Sequence, residues 1–98
     1  MGSHDYFVYI LASRWRGAIY IGITNDLAAR VFQHRAGQGS KHAARYQISK
    51  LVYYEHFQDV REAITREKRL KRWQREWKIE LIKSLNGNWD DLYDTLSV

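Results

Sequence analysis

The fold of this chain is decided by residues 20–34, which read YIGITNDLAARVFQH. The apolar and aromatic residues that open this stretch are typical of a strand, and the polar residues 24–26 can cap the first turn of a helix. We expect a helix of roughly a dozen residues that ends near Gly37. It carries Arg30 and His34 four positions apart, so these two side chains are neighbours along one edge. Such a pair can bind a phosphate and relay a proton, although it also suits an ordinary helix surface.

Two strands precede this helix and a third follows it. Residues 5–12 (DYFVYILA) and 18–23 are rich in β-branched and aromatic side chains, and residues 13–17 (SRWRG) between them read as a turn. The two strands are therefore expected to form a hairpin. A loop over residues 37–46 then leads to a third strand at residues 51–57, LVYYEHF.

The C-terminal part of the chain has helical periodicity. Asp59 is expected to cap a long basic helix, and a second helical run follows a kink near Trp73 and ends at Leu85. Residues 89–96 are expected to form a last short helix. The apolar stripe of the basic helix comprises Val60, Ala63, Ile64, Leu70, Trp73 and Trp77.

The order β-β-α-β-α-α predicts an α+β domain in which helices cover a three-stranded sheet. The chain has 98 residues, enough for one core, so we assign residues 5–98 to a single domain and set residues 1–4 aside as a cloning-derived leader. The absence of cysteine excludes a disulfide framework and thiolate metal sites, and it is typical of a cytoplasmic protein. The longest apolar run, residues 6–12, is far too short to cross a membrane.

The chain has a net charge of +5, and its basic residues are concentrated. Nine of the sixteen lysines and arginines fall within residues 61–83. A concentrated basic stretch predicts a polyanionic partner, most simply nucleic acid. The alternative is a solvated helix face with ion pairs four residues apart, such as Glu62–Arg66 and Glu67–Lys71.

Glu67 is an acid in an unexpected place. In the helical periodicity it falls between Ala63 and Leu70, on the face that should be buried. A buried carboxylate is costly unless it is paired or bound to a cation. Two interpretations remain open. One is a salt bridge with an arginine at the edge of the core, and the other is an oxygen ligand for Mg²⁺, which takes one or two carboxylates and keeps several waters.

Tyr9 and Tyr20 lie on the two strands of the predicted hairpin. Aromatic residues on strands most often serve packing alone. An even-length turn would place the two phenols opposite each other, and an odd one would place them on opposite faces, because side chains alternate along a strand. A phenol serves as a base at neutral pH only with help from nearby positive charge, which Arg30 and a bound metal ion would provide.

Several short motifs follow one another in a fixed order. They are Phe7-Val8-Tyr9, Tyr20-Ile21-Gly22, residues 22–27, Arg30, His34, Arg66-Glu67-Lys68 and Trp73. In order and spacing they resemble the GIY-YIG nuclease domain over nearly the whole chain, above all its small stand-alone bacterial members, often labelled excinuclease-C-like. The second half-motif is intact, whereas the first keeps its tyrosine and lacks the leading glycine and the isoleucine. An asparagine late in the family domain is only loosely matched by Asn86.

The resemblance implies a three-stranded antiparallel sheet with flanking helices and metal-dependent hydrolysis of phosphodiester bonds. Tyr9 would be the base that activates water, with Tyr20 beside it shaping the site. Arg30 would hold the scissile phosphate and stabilise the charge that develops on it. His34 would orient a tyrosine hydroxyl or the phosphate. Glu67 would ligate one Mg²⁺ or Mn²⁺ ion, which stabilises the leaving oxygen as a Lewis acid.

The leading hypothesis is therefore a metal-dependent endonuclease that acts on DNA rather than RNA. Its intrinsic sequence specificity is expected to be low, or a protein partner supplies it. Branched, damaged and single-stranded DNA are all candidate substrates, and no membrane is involved. The alternatives are a non-catalytic nucleic-acid-binding module that retains the nuclease fold, and a scaffold protein without affinity for DNA.

A set of cations outside the catalytic group is expected to contact phosphates without reading bases. Trp15, which lies in the predicted turn, either stacks on an unpaired base or, as is more common for an aromatic residue in a turn, is packed or incidental. The expected phosphate contacts are Arg14, Arg16, Lys41, Arg45, Lys68, Lys71 and Arg72.

Overall fold

The computed structural model describes residues 5–96, so the leader predicted at residues 1–4 lies outside the described residues. It contains three strands, β1 (Tyr6–Ala12), β2 (Ile19–Thr24) and β3 (Lys50–Phe57). Its helices are α1 (Leu27–Arg35), α2 (Lys41–Arg45), α3 (Val60–Arg72) and α4 (Arg75–Leu85), followed by a 3-10 turn at Leu92–Thr95. The strands form one antiparallel sheet in the order β2-β1-β3. The predicted α+β class, with a three-stranded antiparallel sheet flanked by helices, is confirmed.

β1 is the middle strand, and its residues 8–12 are completely buried. Because side chains alternate along a strand, these residues supply two cores, one on each side of the sheet. Ile10 packs on one side with Leu70 of α3 and Ile82 of α4. Tyr9 packs on the other side with residues of α1 and α2. β1 therefore holds a predicted site residue between two packed layers.

The register of the hairpin decides how the two tyrosines are related. The connection between β1 and β2 is residues 13–18, an even number. Tyr9 lies opposite Gly22, and Tyr20 stands two residues before Gly22 on β2. Residues two apart in a strand point to the same face, so Tyr9 and Tyr20 share a face and lie on a diagonal. Of the even and odd turn lengths that the sequence left open, the structure has the even one.

α1 begins where the sequence predicts. The side chain of Asp26 caps it by accepting a hydrogen bond from the Ala29 N–H. The helix has nine residues and is shorter than expected. It ends because Gly37 adopts a left-handed φ of +77°, and the Gly37 N–H donates to the His34 carbonyl at 3.0 Å. This places His34 in the last turn of the helix.

Two short elements differ from the prediction. Residues 37–46, expected as a loop, contain helix α2, because Ser40 accepts a hydrogen bond from the Ala43 N–H and Ala43 is buried in a core. The helix expected over residues 89–96 is reduced to the 3-10 turn at Leu92–Thr95. None of the helices within residues 5–96 is long and apolar enough to cross a membrane.

The predicted apolar stripe is interrupted between α3 and α4. Trp73 adopts an extended conformation, with φ −66° and ψ 150°, so the expected kink is a full break. Trp77 therefore belongs to a separate helix, and the prediction that the whole stripe faces the core was wrong. In the stripe, Ala63 and Leu70 are buried, whereas Val60, Ile64 and Trp77 are exposed.

An ion pair fixes α3 against β3. Arg66 donates to both carboxylate oxygens of Glu55, at 2.8 and 2.9 Å, and the Tyr53 hydroxyl donates to the same carboxylate. Burial alone would raise the pKa of Glu55, but the hydrogen bonds from Arg66 and Tyr53 hold that pKa below its ordinary value. Because Glu67 follows Arg66 along α3, this pair also fixes the rotation of the helix that presents Glu67.

Candidate active site

Three aromatic rings from different elements meet on one face of the sheet. Tyr9 comes from β1, Tyr20 from β2 and His34 from α1. The ring centroids are 6.3 Å apart between Tyr9 and Tyr20, 5.9 Å between Tyr9 and His34, and 5.1 Å between Tyr20 and His34. The Tyr9 hydroxyl and His34 Nε2 share a hydrogen bond of 3.2 Å. The fold therefore brings three of the predicted site residues into mutual contact.

Arg30 and Glu67 act on the same group through their charges. Burial is the largest influence on Tyr9 and raises its pKa well above the ordinary range, and the neighbouring Tyr20 adds to that effect. The charge and hydrogen bonding of Arg30 lower the pKa of Tyr9, and the Glu67 carboxylate raises it further. Tyr20 and His34 thus contact Tyr9, and the charges of Arg30 and Glu67 act on it.

The burial of Tyr9 bears on its predicted role as the base. Its side chain has 0% exposed surface, and its raised pKa keeps the phenol protonated near neutral pH. Tyr20 is partly exposed on the same face. In this conformation Tyr20 offers its phenol to an incoming water or phosphate, whereas the phenol of Tyr9 is enclosed.

His34 is a buried partner of Tyr9. Burial, followed by the charge of Arg30, lowers the pKa of His34 below the ordinary value of an imidazole. Its Nε2 is engaged with Tyr9, whereas its Nδ1 is buried and has no hydrogen-bond partner among residues 5–96. Which group donates in the Tyr9 contact depends on the tautomer of the ring. The contact suits the predicted role of His34 in orienting a tyrosine hydroxyl.

Two glycines leave the space that the rings occupy, and the sequence interpretation did not assign either of them to the site. A Cβ at Gly22 would lie 2.5 Å from Tyr9 Oη and 2.6 Å from Tyr9 Cζ. A Cβ at Gly39 would lie 2.5 Å from His34 Nδ1. A glycine within a strand often marks a close approach, so a signal for Gly22 was present in the sequence. Gly39 lies in a connection, where no comparable signal marks it.

Glu67 is a largely buried carboxylate that forms an ion pair with a lysine. Its side chain is 13% exposed, and its Oε2 lies 2.8 Å from Nζ of Lys71, whose side chain is 52% exposed. The salt bridge considered from the sequence is therefore formed, although with a lysine in place of an arginine. Because Lys71 reaches solvent, it can leave the carboxylate without crossing the core.

The donor set around Glu67 suits a magnesium or manganese ion. Among the described residues, no group of three or more histidine, cysteine, aspartate or glutamate side chains could hold a metal ion. Zinc takes most of its ligands from the protein and would need such a group. Magnesium binds through one or two carboxylates and completes its shell with waters and substrate phosphates. A single carboxylate at the edge of the site fits an ion of this second kind.

The cations predicted to contact nucleic acid are all exposed. They lie on three separate elements, so no single helix carries them all. Lys71 differs from the others because it is paired with Glu67. Arg14 and Arg16 lie in the hairpin connection, Lys41 and Arg45 on α2, and Lys68, Lys71 and Arg72 on α3.

Asn86, the loose match to a family asparagine, is used in the structure of the C-terminal segment. Its amide nitrogen donates to the carbonyls of Val52 and Asp90, at 3.1 and 2.8 Å. Its side-chain oxygen accepts from the Asp90 N–H at 3.1 Å. Asn86 therefore fastens the segment after α4 to β3.

Comparison with known proteins gives the same domain over most of the chain. The model of the GIY-YIG catalytic domain matches residues 5–80. The UPF0213 protein of Staphylococcus aureus strain Mu3 is 40% identical over 83 residues, which cover 85% of this chain and 98% of that protein. The UPF0213 protein of Bacillus pumilus strain SAFR-032 is 37% identical over 78 residues, covering 80% of this chain and 79% of that protein.

A solved structure shares the fold. The solution NMR structure of the UPF0213 protein from Bacillus halodurans superimposes with a TM-score of 0.57 at 26% identity, covering 96% of this chain and 99% of that chain. The GIY-YIG domain implies nuclease activity in general, and nucleases of this kind act on nucleic acid and generally use divalent metal ions. The resemblance seen in the sequence motifs is confirmed by the match over residues 5–80 and by relatives this similar over most of their length: the chain belongs to the GIY-YIG catalytic domain family.

Proposed function

We propose that this protein is a metal-dependent endonuclease that hydrolyses phosphodiester bonds in DNA with low intrinsic sequence specificity. The observation that carries the proposal is the cluster of Tyr9, Tyr20 and His34 on one face of the sheet, with the charges of Arg30 and Glu67 acting on Tyr9. These groups combine an anion clamp, a ligand for a hard cation and proton-transferring side chains. Phosphodiester hydrolysis requires the same three parts.

Arg30 binds the scissile phosphate in this proposal. Its side chain is partly exposed, so its charge is accessible from outside the ring cluster. A guanidinium offers two parallel hydrogen bonds to phosphate oxygens and stays charged at any working pH. It therefore stabilises the negative charge that grows on the phosphate during attack.

Tyr20 accepts the proton of the attacking water, and Tyr9 positions His34. This division follows from exposure, because Tyr20 reaches solvent and Tyr9 does not. The charge of Arg30 acts on Tyr9 and His34, the two rings that Tyr20 contacts. Tyr9 holds the imidazole of His34 through the 3.2 Å hydrogen bond.

Glu67 holds one Mg²⁺ or Mn²⁺ ion. When bound, the ion acts as a Lewis acid that stabilises the leaving oxygen. Lys71 then has to leave the Glu67 carboxylate, and its exposed position allows it to turn toward a DNA phosphate instead. The same lysine thus neutralises Glu67 before the substrate arrives and contacts the substrate afterwards.

The exposed cations on the hairpin connection, α2 and α3 hold the nucleic acid by its backbone. Phosphate contacts carry no sequence information, so the low specificity follows from this mode of binding. A preference for DNA over RNA, a protein partner that adds specificity, and a cytoplasmic location remain parts of the proposal as the sequence predicted them.

The test is nicking of supercoiled plasmid with Mg²⁺ or Mn²⁺ by wild type, Glu67→Gln and Glu62→Gln. Glutamine keeps the size of the side chain and removes its charge. Glu62 is an exposed acid on the same helix and serves as the control. We expect wild type and Glu62→Gln to nick, and Glu67→Gln to be slower by about a hundredfold or more, because a metal ion contributes several kcal/mol to the transition state.

Oligonucleotide binding separates the alternatives. Glu67→Gln should bind DNA at least as tightly as the wild type, because the substitution removes a negative charge and frees Lys71 for a phosphate. Binding by the wild type without cleavage under any divalent metal would favour the non-catalytic module. Absence of binding even at low salt, where electrostatic attraction is strongest, would reject both nucleic-acid functions.

A further inference from the structure

The connection between β1 and β2 presents a tryptophan to solvent. Trp15 is 58% exposed and belongs to neither of the two cores. It stands between Arg14 and Arg16, both exposed, and the Arg16 guanidinium lies 5.0 Å from the centre of its ring. Trp15 is therefore not packed into either core.

The segment that carries Trp15 is held in one conformation. Within it, the Gly17 N–H donates to the Arg14 carbonyl at 2.8 Å, and the Ala18 N–H donates to Ser13 Oγ at 3.1 Å. A Cβ at Gly17 would lie 2.4 Å from that Ser13 oxygen, so the turn is tight. An indole on a fixed support loses little freedom when it binds a ligand.

A side chain from a distant helix fastens the same segment. Nη2 of Arg75, at the start of α4, donates to the carbonyls of Arg16 and Gly17, at 2.6 and 2.8 Å. The tip of the hairpin is thus tied to α4, at the break that follows α3. This attachment keeps the indole of Trp15 in a constant position relative to the rest of the fold.

Trp77 shows that exposure alone does not single out Trp15. Trp77 is 52% exposed, but its ring packs edge-on against Trp73 at 6.0 Å, and Trp73 packs against a core. Trp15 instead has a guanidinium beside it and a second arginine as its other neighbour in the chain. An exposed aromatic ring with arginines around it is the arrangement that binds unpaired nucleotides, because the base stacks on the ring while the arginines contact phosphates.

The position of the tip relative to the ring cluster is limited by the chain. Tyr20 follows Trp15 by five positions, which restricts the distance between their Cα atoms to at most about 18 Å. Stacked nucleotides advance about 3.4 Å each along a strand. This Cα separation corresponds to at most about five nucleotides of stacked strand.

We propose that Trp15 stacks on an unpaired base of the bound strand and so selects nucleic acid with unpaired nucleotides, such as single strands, flaps and junctions, over continuous duplex. In a duplex each base face is already covered by its neighbours, and the indole has nothing to stack on without disrupting them. The inference rests on the proposed function in so far as nucleic acid is the ligand, but not on cleavage.

The test is binding in EDTA, which removes divalent metal and with it the proposed cleavage. Fluorescence anisotropy compares a blunt duplex, the same duplex with a six-nucleotide flap, and a single strand, for wild type, Trp15→Ala, Trp15→Phe and the control Trp77→Ala. Trp15→Ala should weaken flap and single-strand binding about 5- to 150-fold, the range seen when a stacking aromatic is removed, and leave duplex binding within about twofold. Trp15→Phe should retain most of the preference, and Trp77→Ala all of it.

A second series replaces each flap nucleotide in turn by an abasic site. At one position the abasic site should weaken binding by the wild type as much as Trp15→Ala does, and it should cause no further loss of binding in Trp15→Ala. A merely structural role of Trp15 would not produce this pattern. Thermal unfolding confirms that each variant is folded. An equal loss on duplex and flap, no loss at all, or no binding by the wild type would overturn the inference.

The two proposals fail separately. If the plasmid is never nicked but the Trp15 effect is seen, the nuclease assignment falls and the stacking site stands. If the plasmid is nicked and the Trp15 effect is missing, only the stacking site is rejected.

Discussion

Replacing Gly22 by alanine should displace Tyr9 and lower the stability of the protein. The added Cβ would lie 2.5 Å from Tyr9 Oη and 2.6 Å from Cζ, where an ordinary contact is 3.4–4 Å. The ring of Tyr9 is completely buried, so it cannot retreat without disturbing its neighbours, including the hydrogen bond to His34. The substitution therefore acts on the site through packing, without touching a charged group.

The size of the effect follows from three contributions. Overpacking of this kind costs about 1–3 kcal/mol. Loss of the Tyr9–His34 hydrogen bond adds about 1 kcal/mol. Alanine stiffens the unfolded chain relative to glycine, which offsets about 0.4–1 kcal/mol. The net loss of about 1–3.6 kcal/mol should lower the melting temperature by roughly 4–8 °C for each kcal/mol in a domain of this size.

Thermal unfolding followed by circular dichroism measures this loss, with Gly87→Ala as the control. The nearest atom to a Cβ at Gly87 is the Lys83 carbonyl oxygen at 3.9 Å, an ordinary contact. We expect this control to melt within about 2 °C of the wild type. Gly22→Ala should also cleave plasmid more slowly than the control. If Gly22→Ala and Gly87→Ala unfold together with the wild type, then Gly22 does not confine Tyr9, and the packing described for the ring cluster is wrong.

Three further outcomes are expected. Arg30→Lys keeps the charge and loses the planar fork, so plasmid cleavage should fall about a hundredfold while DNA affinity falls less than about threefold. Equal losses in both assays would show that Arg30 serves binding alone. Lys68→Gln combined with Arg72→Gln leaves the Glu67–Lys71 pair intact; by anisotropy it should weaken binding to all DNA sequences and reduce the slope of log affinity against log salt by about 2. A loss confined to one sequence would mean that α3 reads bases. The pKa of His34 is lowered in the folded protein, so the unfolded chain takes up a proton first as the pH falls below 6.5, and stability present above that pH is lost toward the lowered pKa. In His34→Gln the free energy of unfolding, measured in urea, should therefore fall less between pH 7.5 and pH 5 than it does in the wild type, because the proton taken up by His34 on unfolding is removed. An equal decline in both proteins would exclude His34 as its source.

The fold was predictable because its main elements have strong local signals. A continuous run of β-branched and aromatic residues marks β1, and Asp26 and Asp59 cap α1 and α3 as the sequence indicated. Where two elements meet, local signals were insufficient. The apolar periodicity of α3 continues in the sequence through Trp73 to Trp77, yet the backbone becomes extended at Trp73. Helix α2 has only five residues, too few for a periodic pattern to show.

In the candidate site, too, the residue types could be predicted from the sequence and their surroundings could not. The types and spacing of the five side chains could be read from the sequence, and Glu67 stood out because an acid interrupts the apolar face of a long helix. The burial of Tyr9 could not be read, because it depends on packing from α1, α2 and the segment near Leu92. The pairing of Glu67 with Lys71 was one of several helical pairs that spacing allowed, and only the fold selects among them.

The strand order has a consequence for the newly made chain. β1 lies between β2 and β3, and the partner on its second side is translated only after α1 and α2. Before β3 has been translated, the hairpin can form and Tyr9 can contact His34 of α1, but one edge of β1 has no backbone partner. An unpaired strand border is a template for association with another chain. The nascent protein is therefore most vulnerable to aggregation in the interval before Phe57 emerges.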